Sequence, residues 1–304
     1  MKALVGYTGF VGSNLDAEEK FEGRYNSKNI SEAFGTSPDL LIYAGVPAAK
    51  YLANSAPEKD FEIILQAQEN IKKISPKKLV LISTIDVFKN PIEVDEDADI
   101  DTENLQAYGK NRRHLEVWVQ KNFSDALIVR LPGLFGKNIK KNFIYDFIHK
   151  IPFRLTEKLF SQLCEKESEL KNFYSLQDNG FYQCKNLIDD EEKVLKKIFE
   201  KLDFSALNFT DSRSVYQFYP LSRLWNDIEI ALKNDLKILH LATEPVQVGE
   251  LYSYLTGKNF VNELANSPAN YDFRTKFAKS FGGQSNYLMD KNSVMKSIAE
   301  FIKI

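Results

Sequence analysis

The chain has 304 residues, with 40 basic against 42 acidic side chains, a net charge of −2 and 43% apolar residues. That length buries a large core without staples and leaves room for two domains. The balanced charge excludes an electrostatic footprint for nucleic acid or for an anionic membrane surface, so a small molecule or a second copy of the chain is the expected partner.

Met1 to Val5 reads as a short apolar strand that enters Gly6-Tyr7-Thr8-Gly9-Phe10-Val11-Gly12, after which Ser13-Asn14-Leu15 opens a helix. Each glycine has a physical task in such a strand, turn and helix. Gly6 makes the tight turn, Gly9 lets the backbone approach a pyrophosphate, and Gly12 lets helix and strand pack closely, while the helix N-terminus offers unpaired N–H groups to the anion. Gly6, Thr8, Gly9, Phe10, Val11 and Gly12 are therefore candidate dinucleotide contacts.

Arg24 to Ser27 fits a short second strand, and Leu40 to Ala44 a buried third one. The periodicity predicts a helix over 58–74 and a strand over 78–84. A second helix over 107–120 and a strand over 125–131, closed by Pro132-Gly133, follow. Continuous apolar strands alternating with helices predict right-handed βαβ units and a doubly wound parallel sheet, an α/β fold of Rossmann type. Ligands in such sheets sit at the C-terminal ends of the strands.

Beyond Gly136 the texture becomes charged and helical to about Leu202, with Asp178-Asn179-Gly180 as a turn. Strand-like sequence returns at 214–219 and 237–241 around a helix over 221–232. The stretch 248–304 is helical and mixed, with a loop at Gly282-Gly283. The expected division is a nucleotide-binding domain of residues 1–136 plus about 211–243, and a smaller, mostly helical substrate-binding region of about 137–210 and 244–304. Seven carboxylates in the eleven residues Glu93 to Glu103 read as a solvated loop.

No apolar run approaches the roughly 20 residues of a membrane span, and no cleavable apolar leader precedes the first strand, so a cytoplasmic setting is expected. Cys164 and Cys184 stand too far apart for a Cys-x-x-Cys pair, which fits a reducing compartment. His114, His149 and His240 show no ligand spacing, so no metal is expected.

Four stretches in order carry a resemblance: Gly6 to Gly12, Ser83-Thr84-Ile85-Asp86-Val87-Phe88, Tyr108-Gly109-Lys110-Asn111-Arg112 with Glu116, and Arg130-Leu131-Pro132-Gly133-Leu134-Phe135-Gly136. Over residues 1 to 136 the chain resembles the extended short-chain dehydrogenase/reductase family of sugar-nucleotide epimerases, dehydratases and reductases. The resemblance implies that Tyr108 is the general acid or base and that Thr84 positions the substrate oxygen. A residue four after the tyrosine then lowers its pKa and bonds the nicotinamide ribose. An unperturbed tyrosine titrates near about 10, so neutral-pH work needs such a cation.

In this chain the family lysine is replaced by Arg112, which shares a helix face with Tyr108, whereas Lys110 points elsewhere. A guanidinium supplies charge and donors but cannot relay a proton. Asp86 is the only acid left after Thr84, which disfavours dehydratase chemistry and brings the motif nearer to dTDP-4-dehydrorhamnose reductase-like members. The resemblance also sets Ser83, Ala44, Gly45 and Val46 against the cofactor, and Leu131, Pro132, Gly133 and Leu134 at its nicotinamide end. Asn26, Ser27 and Lys28 offer a hydroxyl and a cation in place of an acid, so NADP is expected over NAD. Lys137, Lys140, Lys141 and Arg213 are candidate contacts for a substrate diphosphate, and family dimers form through helices that here are about 58–74 and 107–121. The expected function is hydride transfer on a sugar, nucleotide-linked, by an NADP-preferring reductase or epimerase. The alternative is a cofactor-binding sensor or scaffold without turnover.

Overall fold

The structure, a computed structural model, describes residues 1–303. The chain opens with β1 (Lys2–Val5), α1 (Phe10–Glu18), β2 (Gly23–Tyr25), β3 (Leu40–Tyr43), α2 (Lys50–Ser55), α3 (Pro57–Ile74), β4 (Leu79–Thr84), α4 (Ala107–Asn122), β5 (Leu127–Leu131) and β6 (Gly133–Phe135). It continues with α5 (Phe143–His149), β7 (Arg154–Thr156), α6 (Glu157–Lys166), β8 (Tyr174–Leu176), β9 (Phe181–Cys184) and α7 (Asp189–Lys201). The last elements are β10 (Val215–Tyr216), β11 (Phe218–Pro220), α8 (Leu224–Lys233), β12 (Ile238–His240), β13 (Val246–Gln247), α9 (Val248–Thr256) and α10 (Lys291–Ile302).

Two compact units result. The first comprises Met1–Ile139, Val215–Gln247 and Ala269–Ile304, and the second Lys140–Ser214 and Val248–Pro268. The first unit is built on a six-stranded sheet in the order β12-β5-β4-β3-β1-β2, parallel throughout. It is the Rossmann-type α/β sheet anticipated from the apolar runs. Alternate residues of its strands enter two separate cores. Leu4, Ile42, Val80 and Val129 pack with Leu15 of α1 and Leu224 and Ile228 of α8 on one face. Val5, Leu41, Leu81 and Ile128 pack with Ile64 and Ile71 of α3 and Leu115 and Val119 of α4 on the other. Burial on both faces explains why these strands read as continuous apolar runs.

Residues 269–304, expected in the substrate region, belong to the first unit. The Leu288 N–H donates to Ala242 O at 2.7 Å, and Phe301 of α10 meets Phe135 with ring centroids 5.7 Å apart. The predicted strand 214–219 is broken at Gln217, whose carboxamide turns inward at 1% exposure. It bonds Thr243 O, Phe273 O and the Phe273 N–H.

The second unit is mostly helical in its regular structure, through α5, α6, α7 and α9, as expected. It contains a three-stranded antiparallel sheet, β7-β9-β8, whose β8–β9 hairpin turns at Asp178 to Gly180. Leu155, Tyr174 and Cys184 of that sheet share a core with Phe160 and Leu163 of α6 and Leu195 and Phe199 of α7. Tyr182 stacks on Phe160 with ring centroids 3.9 Å apart. Among the described residues no helix is long and apolar enough to cross a membrane.

Candidate active site

Because the sheet is parallel, the segments after β1, β3, β4 and β5 emerge along one edge. Val5 pairs with Tyr25 and Tyr43, and Thr84 with Leu131, so the glycine turn, Asn26–Lys28, Ala44–Val46, Thr84–Asp86 and Leu131–Leu134 all start there. The glycine turn is crowded by backbone. Gly6 takes φ +92°, and a Cβ on Gly12 would lie 2.1 Å from Gly6 O. A side chain at either place would push helix and strand apart. Gly9 forms the N-cap of α1, no side chain caps that helix, and its first turn holds no acid. The positive end of the helix therefore faces the edge with its donors unclaimed by side chains, which suits an anion.

Asn26 is occupied in its own turn, accepting from the Lys28 N–H at 2.9 Å while its N–H donates to Asn29 Oδ1 at 2.8 Å. Ser27 and Lys28 remain exposed beside it. Asn14, which sequence reasoning passed over, locks the turn to the far end of the motif region: its carboxamide bonds both the carbonyl and the N–H of Lys137.

Tyr108 stands at the start of α4 with 8% exposure, and its N–H donates to Asn54 Oδ1 at 2.9 Å. Burial raises the phenol's pKa. The Arg112 charge and a hydrogen bond with Thr84 lower it, and the carboxylates of Asp86 and Asp60 work against them. Asp86 is paired with Lys50 Nζ at 3.0 Å and accepts from the Tyr271 hydroxyl, also at 3.0 Å. A cavity of about 280 Å³ opens beside this pair, lined among others by Lys50, Asp86, Gln106, Gly109 and Tyr271.

Residues 4–159, just over half of the chain, match a family described as the RmlD substrate binding domain. The chain belongs to that family. The fold is similar to that of dTDP-4-dehydrorhamnose reductase from Yersinia enterocolitica, at 12% identity and a TM-score of 0.64 over 99% of this chain and 98% of that one. The corresponding reductase from Bacillus anthracis, in complex with NADP, gives 17% identity and a TM-score of 0.62 over 99% and 98%. The Bordetella bronchiseptica enzyme WbmG, in complex with NAD and UDP, gives 12% and 0.63 over 99% and 93%. No curated protein sequence matches the chain.

In this RmlD-family chain Arg112 is held inside the protein. Nη1 meets Asp60 Oδ2 at 2.5 Å, and Nη2 donates to Pro47 O at 2.7 Å. The guanidinium carbon lies 4.0 Å from the centroid of the Tyr108 ring. Ser83 is also spent internally, donating to Glu116 Oε1 at 2.6 Å. Glu116, fully buried, further binds Arg130 through Nε at 3.1 Å and Nη2 at 2.8 Å, and Arg130 Nη1 reaches His240 Nε2 at 3.0 Å.

His240 Nδ1 faces Arg274 O at 2.9 Å, so the ring carries its proton there and accepts from Arg130. Burial, reinforced by the Arg130 charge, lowers its pKa to about 3. The acidic stretch is likewise not all solvated. Glu96, 8% exposed, accepts from the His240 N–H, the Thr275 hydroxyl and the Lys276 N–H.

The proposed phosphate contacts divide. Lys137 falls in the first unit, and Lys141 and Arg213 in the second. The Arg213 guanidinium is already bonded to both carboxylate oxygens of Asp211 at 2.7 and 3.0 Å and to Glu263 at 2.9 Å. Two carboxylates therefore share it, and a phosphate there would compete with Asp211 and Glu263 for its donors.

Proposed function

We propose that the chain is an NADP-preferring oxidoreductase or epimerase acting on a sugar, nucleotide-linked, with Tyr108 as the proton-carrying group. The observation that carries this reading is Tyr108, buried against Thr84 and Arg112 at the sheet edge from which an uncapped helix and its glycine turn also rise. Membership of the family and the cofactors and substrates named for its structural neighbours support it.

The residues of the turn fit a dinucleotide. Gly6 to Gly12 would take the pyrophosphate on backbone N–H groups, Ser27 and Lys28 the adenosine ribose phosphate, and Ala44 to Val46 and Leu131 to Leu134 the flanks of the group. A nicotinamide cofactor bound there supplies hydride transfer between its ring and a sugar carbon. Thr84 orients the sugar oxygen, and Tyr108 gives it a proton when a ketone becomes a carbinol and takes one back in reverse. The Arg112 charge over the Tyr108 ring favours the phenolate left behind. A ribose contact from Arg112 would fall to Nε or to the second hydrogen of Nη2, since Nη1 serves both Asp60 Oδ2 and, at 3.3 Å, Tyr108 O, and Nη2 serves Pro47 O.

The test is a fluorescence titration with NADPH and NADH, followed by turnover on dTDP- and UDP-linked keto-sugars. NADPH binds more tightly than NADH, and Tyr108→Phe keeps that binding while losing turnover. Absence of binding by either nucleotide, or unchanged turnover in Tyr108→Phe, overturns the reading.

A further inference from the structure

The family lysine that this chain lacks would reach Tyr108 on a flexible stem. A guanidinium in its place must be set at a fixed distance and angle to act on the same ring, because its charge is spread over a rigid plane. Helix α3 provides that setting. Asp60, in the first turn of α3, is 7% exposed and takes two donors on one oxygen: Arg112 Nη1 at 2.5 Å and Asn111 Nδ2 at 2.8 Å. The same Asn111 nitrogen reaches Pro57 O at 3.2 Å, which fixes the start of α3 against α4. Nη2 of the guanidinium is tied to Pro47 O in the segment after β3, and the plane ends 4.0 Å from the Tyr108 centroid.

We infer that Asp60 is a positioning residue for Tyr108: it holds the Arg112 guanidinium on the tyrosine ring, where Arg112 does the electrostatic work of the missing lysine. This deepens the reading of Tyr108 as the proton-carrying group and rests on it. A buried ion pair is weak evidence of stability in itself. What singles this one out is that its cation is stacked on the residue proposed for catalysis. The groups facing the Tyr108 phenol are Arg112 on α4, Asp60 on α3, and Thr84 and Asp86 after β4, with Asp86 itself paired to Lys50 and bonded by Tyr271.

The sign of the effect separates positioning from simple charge. Asp60 is a negative group near a phenol, so removing its charge with nothing else moved would favour the phenolate. If Asp60 instead keeps the guanidinium on the ring, its removal releases the cation and disfavours the phenolate.

The experiment is an NMR titration of protein labelled at the tyrosine ζ-carbons, with the Tyr108 resonance assigned by its loss in Tyr108→Phe. It needs neither cofactor nor substrate, so a failure of turnover leaves it intact. In Asp60→Ala the phenolate-to-phenol ratio of Tyr108 at a fixed alkaline pH falls about tenfold, one unit in midpoint. In Asp60→Glu, where the charge stays but the longer stem displaces the guanidinium, it falls about threefold. A rise in Asp60→Ala reduces Asp60 to a nearby charge and overturns the inference. An unchanged ratio in Asp60→Glu, which retains the ion pair and decides the matter if the alanine variant does not fold, overturns it as well.

Discussion

Two regions of the same sheet edge are built by opposite means. After β1 the chain makes its site by leaving side chains out: glycines carry the turn, a helix end stands uncapped, and the backbone supplies the donors. Around β4, β5 and β12 it fills the interior with polar side chains, the charged Glu116, Arg130 and Glu96 and the neutral His240, all buried and each hydrogen-bonded. The first arrangement tolerates no added atom, and the second no removed partner. Steric constraint is written in the sequence as a pattern of glycines, whereas electrostatic constraint depends on which distant residues meet.

The contrast can be tested from its most costly element downward. Glu116→Gln leaves the Arg130 guanidinium buried without its carboxylate, and urea unfolding should report a loss of about 3–5 kcal/mol. Gly12→Ala places a methyl against Gly6 O, and a loss of about 3 kcal/mol together with weakened NADPH binding is expected by denaturation and fluorescence titration.

His240 gives a pH dependence. Its folded pKa lies near 3, below the ordinary 6.5, so folding favours the neutral ring. Its contribution is fully present above about 6.5 and is lost as pH falls toward 3. His240→Gln, which keeps an acceptor for Arg130 and a donor for Arg274, should therefore lose about 4 kcal/mol less than the parent on acidification through that window, measured by urea unfolding. The smallest effect is on the glycine side: Lys28→Ala should weaken NADPH by about tenfold, or about 1.4 kcal/mol, and leave NADH unchanged by titration.

These sites also differ in how far they could be read beforehand. The inner strands of the six-stranded sheet are visible as apolar runs because both their faces are covered, and the pairing of Tyr108 with Arg112 follows from helical spacing. Asp60 was not visible: an acid in the first turn of an amphipathic helix looks like a favourable charge at its positive end. Glu96 was one of seven carboxylates in a run, and nothing local separates the buried one from its exposed neighbours. The short sheet of β7, β8 and β9 lay within charged sequence, with strands of only three or four residues that give periodicity little to act on. The return of 269–304 to the first unit rests on isolated bridges such as Thr243 with Met289, which have no sequence pattern at all.

The first unit is assembled from three stretches of chain, the last of which ends with α10. During synthesis on the ribosome, β1 to β5 emerge early but lack their edge strand β12, which pairs with β5 only after more than a hundred further residues have been made. Such long-range closure slows folding and leaves a sheet edge uncovered in the meantime. The nascent protein should therefore depend on chaperone protection of the β5 edge until β12 has been made.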